Sequence, residues 1–141
     1  PEPEPVVEVK SEPTPEPVVA TKDTIAKTQT IANQIDLKFP LDSDTPLNNE
    51  FDSKFEALAQ MLKANPEMKI RIQGHTCNLA SREYNLKVGL GRAEVGKAKL
   101  MQLGVPESQI AVESKAFDEP LVPNTNEENR AKNRRIVLIV E

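Results

Sequence analysis

The chain has no tryptophan, one cysteine and one histidine among its 141 residues, and only 4% of it is aromatic. A single cysteine cannot close an internal disulfide, and it leaves the redox compartment open. With one histidine and one cysteine there is no zinc-ligand spacing. A Ser/His/Asp set and a Gly-rich phosphate loop are missing as well. The expectation is therefore a binding domain without a cofactor, not an enzyme. No run of 18 or more apolar residues and no signal peptide is present, and the first residue is Pro1, not methionine. This reads as a mature or truncated part of a longer protein, with any secretion signal or anchor outside the sequence.

What is abundant is proline at one end. Of 12 prolines, Pro1, Pro3, Pro5, Pro13, Pro15 and Pro17 fall at the start, interleaved with Glu2, Glu4, Glu8, Glu12 and Glu16. Such a stretch buries too little apolar surface to offset its ordering entropy, and its prolines favour an extended polyproline II path. Residues 1–22 are read as a linker, able to span on the order of 70 Å when extended. Its five glutamates face only Lys10 and Lys22, so the linker holds −3 of the chain's net −4. The remaining residues are nearly neutral, which gives no electrostatic case for nucleic acid.

Beyond a polar connecting segment at 23–34, with weak helical character, the pattern becomes regular. Ile35 to Phe39 alternates apolar and polar as a half-buried strand does, and Pro40 ends it. Phe51, Phe55, Leu58 and Leu62 form one helical stripe, stopped at Asn65-Pro66. Met68 to Gln73 alternates again and closes at Gly74. A long helix is expected from Ser81 to Leu103, its buried stripe marked by Leu86, Leu90, Ala93 and Leu100, with Gly104 capping it and Pro106 just beyond. Gly89, Gly91 and Gly96 fall inside that helix, each costing ~1 kcal/mol relative to alanine, which points to a close approach. A strand near Ile110 to Ala116, a short helix from Glu127 to Lys132 and an apolar run from Arg135 to Val140 complete the chain. The last run reads as a strand buried on both sides or central in the sheet. The order β-α-β-α-β-(α)-β implies an α+β two-layer sandwich, a mixed sheet with helices on one face.

Four separated segments resemble one family, the OmpA-like peptidoglycan-binding domain. They are Phe39-Pro40-Leu41-Asp42-Ser43, Ile70-Arg71-Ile72-Gln73-Gly74-His75-Thr76, Arg82-Glu83-Tyr84-Asn85-Leu86 with Gly91-Arg92-Ala93, and Glu128-Asn129-Arg130-Ala131-Lys132-Asn133-Arg134-Arg135-Ile136. The resemblance covers residues 35–141. It implies the same sandwich, and it implies non-covalent binding of a peptidoglycan stem peptide at meso-diaminopimelate. An outer-membrane element in the missing N-terminal part would then be held to the wall from the periplasm. By the same resemblance Arg92 grips the ligand carboxylate with its planar fork. Asn85 and Arg134 line the groove, Thr76 offers its hydroxyl at the loop edge, and Ser43 comes from the opening motif.

One position departs from the pattern. Where the family carries an aspartate for the ligand ammonium, this chain has Cys77, and a thiol does not supply a carboxylate's full charge. Losing one charge-assisted contact costs ~1.5–3 kcal/mol, on the order of tenfold to a hundredfold in affinity. Asn78 is the neighbour able to accept a weaker bond. A protein-interaction module on the same fold, its wall binding weakened, is the alternative. His75, at a strand end, is expected to have its ring satisfied by backbone, and one of Arg134 and Arg135 is expected to pair with a carboxylate.

Overall fold

A computed structural model describes residues 21–41, 43, 45 and 52–141. The linker up to residue 20, Phe51 and most of the loop after Leu41 lie outside the described residues. The elements in order are α1 (Lys22–Asn33), α2 (Asp52–Ala64), β1 (Ile70–His75), α3 (Arg82–Gln102), a 3-10 turn (Glu107–Gln109), β2 (Ile110–Ala116), α4 (Glu127–Asn133) and β3 (Arg135–Val140). The strands form a mixed sheet in the order β2-β1-β3, with β1 parallel to β2 and antiparallel to β3. The α+β class of the sequence reading is the observed one.

Local chemistry explains the helix ends. The Ser81 hydroxyl accepts from the Tyr84 N–H at 3.1 Å and starts α3. Gly104 follows the last turn at φ +99°, a left-handed conformation that glycine takes without strain. Leu58, Leu62, Leu100, Ile72 and Phe55 then fill the space between helices and sheet at 1% exposure or less.

The buried stripe of α3 differs from the expected one. Leu90 is exposed and Leu86 only half-buried, while Asn85, Gly89, Arg92, Ala93, Gly96 and Leu100 face inward. The reason is steric. A Cβ on Gly74 would lie 1.6 Å from the Gly89 carbonyl oxygen, and one on Gly89 would lie 2.2 Å from Ser114 Oγ. The backbones of α3 and β1 touch here, so the sheet-facing positions of the helix take small residues, and the leucines turn outward.

The polar segment at 23–34 is helix α1, whose Thr28 and Ala32 are buried. Its Gln29 amide donates to the Leu138 carbonyl at 2.8 Å and accepts from the Val140 N–H at 2.7 Å. This explains a second correction. Ile35, Leu37 and Phe39 are buried in alternation, yet the expected first strand is reduced to one bridge, Lys38 to Arg135. A side chain already holds the backbone groups of β3 that a longer strand would pair with. The third correction concerns β3, which is neither central nor buried on both sides. It stands at the sheet edge, with Ile136, Leu138 and Val140 buried and Val137 and Ile139 only half-buried on the face away from the helices.

Candidate functional site

The site lies where β1 ends and β3 begins. At the Gly74/His75 step β1 slips against β2, so that His75 pairs with Ala116. Ala116 adopts φ +47°, and its carbonyl accepts from the Thr76 N–H at 2.7 Å. This irregularity sets the direction in which Thr76 and Cys77 leave the sheet.

Two arginines hold that corner. Arg92, on α3, is 1% exposed and donates from Nε to the Ser43 carbonyl (2.8 Å), from Nη1 to the His75 carbonyl (2.9 Å) and from Nη2 to the Pro40 carbonyl (2.9 Å). Its guanidinium also lies over the Phe39 ring, 5.2 Å from the centroid. Arg134, between α4 and β3, donates from Nε to the Phe39 carbonyl at 2.9 Å, from Nη1 toward Cys77 Sγ at 3.7 Å and from Nη2 to Glu127 Oε2 at 2.7 Å. The two guanidinium groups thus grip the successive carbonyls of residues 39 and 40, and reach residues 75 and 77 on either side of Thr76.

Of the residues read from the sequence, Arg92, Thr76, Cys77, Asn85 and Arg134 are all buried at this corner. Asn85 Nδ2 donates to the Leu79 carbonyl at 2.6 Å and ties the loop to α3, while Thr76 Oγ1 donates to the Cys77 carbonyl at 3.0 Å. Ser43 is half-buried and reaches the corner through its carbonyl, its hydroxyl accepting from the Thr45 N–H at 3.0 Å. Asn78 is exposed on the loop. Cys77 is a free thiol at 1% exposure.

His75 differs from expectation. It is 2% exposed, and neither ring nitrogen has a hydrogen-bond partner among the described residues. Burial, reinforced by the charges of Arg135 and Lys115, pushes the imidazole down to about 4. The Glu119 backbone favours the proton only slightly, without forming a bond of ordinary geometry. The reason is position: His75 lies beside Arg135 at the strand end, where among the described residues only the Glu119 backbone comes near the ring.

Two residues escaped the sequence reading. Glu127, in the first turn of α4, is the carboxylate that pairs with an arginine of the corner. Its partner is Arg134, not Arg135, and this bond holds the carboxyl below its ordinary range. Asn133 is fully buried. Its side chain accepts from the Leu121 and Val122 N–H groups at 2.8 and 3.1 Å and donates to the Val122 carbonyl at 2.8 Å, shaping the loop before α4. The Asn-Arg-Arg run was the available signal for Asn133, but nothing in it specifies a loop partner.

Helices over a three-stranded mixed sheet, with two buried arginines at one strand-end corner, define an α+β domain whose candidate site lies in the loops. The model of the OmpA family matches residues 41–134, and the chain belongs to that family. It is 36% identical to the peptidoglycan-associated lipoprotein of Legionella pneumophila over 81% of this chain and 64% of that one. It is 30% identical to outer membrane protein Omp38 of Acinetobacter baumannii over 94% of this chain and 36% of that one. The chain thus spans less than two thirds of either relative. The crystal structure of the peptidoglycan-associated lipoprotein from Burkholderia pseudomallei superimposes with a TM-score of 0.71 at 32% identity, covering 75% of this chain and 89% of that one. Among the described residues no helix is long and apolar enough to cross a membrane.

Proposed function

We propose that this domain binds peptidoglycan non-covalently through its stem peptide, at meso-diaminopimelate, and anchors an outer-membrane protein to the cell wall from the periplasm. The observation that carries the reading is the pairing of Arg92 and Arg134 around Thr76, a rigid cationic corner on the loop between β1 and α3. The Nη edge of Arg134 suits a ligand carboxylate, while Arg92, its three nitrogens on backbone carbonyls, adds charge and holds the loop in place. Family membership and the names of the peptidoglycan-associated relatives support peptidoglycan as the ligand. Thr76, Asn78, Asn85 and Ser43 are proposed to complete the groove, with Cys77 where the family has its ammonium-binding aspartate.

Co-sedimentation with purified insoluble peptidoglycan tests this, using wild type and Cys77→Asp. Wild type is expected to sediment. Cys77→Asp is expected to bind about tenfold more tightly, the worth of one charge-assisted contact. If only Cys77→Asp sediments, the corner is a wall site that has weakened in this chain. If neither does, wall binding is wrong and a protein partner on the same fold becomes the reading to pursue.

A further inference from the structure

Arg134 carries an asymmetric set of partners. Its side chain is 6% exposed, and its Nε is fixed on the Phe39 carbonyl. The remaining edge, Nη1 and Nη2, is a planar surface matched to the two oxygens of one carboxylate. Here that surface meets two unequal acceptors. Nη1 has only Cys77 Sγ at 3.7 Å, and a thiol sulfur is a weak acceptor. Nη2 has Glu127 Oε2 at 2.7 Å. Glu127 therefore supplies the anion, but through a single contact. Its side chain is 61% exposed, with Arg130 Nε a further 3.4 Å away. Among the described residues, these two cations are its ion-pair partners.

We propose that Glu127 stands in for a carboxylate of the bound peptide, occupying the outer edge of Arg134 in the free domain and swinging away when the ligand carboxylate docks there. This rests on the stem-peptide reading above and adds to it the group that the ligand displaces. A two-oxygen carboxylate gains both Nη donors where Glu127 uses one. Arg130, left facing solvent, keeps the departing glutamate close. Glu127 thus sets how strongly the corner selects a free carboxylate over a neutral amide.

The test is calorimetric titration of a soluble stem tripeptide ending in meso-diaminopimelate, with its carboxylates free or amidated. The proteins are wild type, Glu127→Gln, and Glu127→Gln combined with Arg134→Lys. Glu127→Gln is expected to bind the free-acid peptide roughly fivefold more tightly than wild type. That gain is expected to vanish with the amidated peptide and in the Arg134→Lys background, with thermal melts showing all three proteins folded. Equal or weaker binding of the free-acid peptide by Glu127→Gln overturns the displacement. Co-sedimentation of the same proteins with insoluble peptidoglycan separates the two failures. If wild type and Glu127→Gln sediment equally, only the displacement falls; if neither sediments, the stem-peptide reading falls and takes the displacement with it.

Discussion

Arg92 donates through Nη1 to the backbone carbonyl of His75, 2.9 Å away, and so fastens the middle of α3 to the last residue of β1. The same guanidinium holds the carbonyls of Pro40 and Ser43. One buried side chain thereby joins three segments that are distant in sequence. A residue placed this way shapes the candidate site by holding its backbone in place.

Arg92→Ala is accordingly expected to lower the stability of the domain as well as its wall binding. Three carbonyls lose a charged donor, and the cost is about 3 kcal/mol or more. Arg92→Lys keeps the charge but cannot serve three carbonyls in three directions, so it is expected to recover less than half of that loss. Urea denaturation of the three proteins measures both. A loss under 1 kcal/mol for Arg92→Ala would show that the carbonyls find other partners.

Gly89→Ala sets two effects of opposite sign against each other. Alanine favours a helix interior by ~1 kcal/mol. Its methyl would stand 2.2 Å from Ser114 Oγ and 2.9 Å from the Gly74 carbonyl, and backbone cannot move aside cheaply. Overpacking of this kind costs typically 1–3 kcal/mol, so a net destabilisation is expected. Pairing Gly89→Ala with Ser114→Ala should recover part of the loss, because it removes the nearer obstacle. A stabilised Gly89→Ala protein would contradict the close approach of α3 and β1.

The buried imidazole of His75 predicts an acid-sensitive fold. Its proton leaves the folded state at about 4 but the unfolded state near 6.5, so the unfolded chain binds more protons between these values. Stability is therefore complete above pH 6.5 and declines as the pH falls toward 4, by on the order of 3 kcal/mol. The depressed carboxylates, Glu113, Asp118 and Glu127 among them, lose their contributions at lower pH, as pH falls through and below the ordinary carboxylate range. The interval from 6.5 to 5 thus reports mainly the histidine. His75→Phe, which fills the same space without titrating, should flatten the stability profile there. An unchanged slope in that variant would place the acid sensitivity in another group.

Much of this fold is legible in the sequence because its signals are local. Ser81 before α3, Gly104 after it and the alternation in β1 each fix an element from a few neighbouring residues. Where reading fails, the cause is a partner far along the chain. Ile35 to Phe39 carries a strand's alternation, but Gln29 takes the backbone positions that would have extended its pairing. Leu86 and Leu90 look like a core stripe, until Gly74 on another element leaves room only for glycine at position 89. At the site, the motifs located Arg92 and Arg134, whereas Glu127 becomes part of the corner only when α4 folds it back onto Arg134. His75 could not be placed from its strand-end position, because its isolation depends on what lies across the sheet.

The Gln29 contact has a mechanical side. The Pro/Glu stretch joins the domain at the start of α1, so any pull along it enters the fold through that helix. The first long-range polar contacts on this path are the two bonds from the Gln29 amide to Leu138 and Val140. They lie at one end of β3, whose other end, Arg135, directly follows Arg134. Under the proposed anchoring role, tension would run along the strand that leads from the candidate corner, and strain on the tether would be felt at the proposed peptide site.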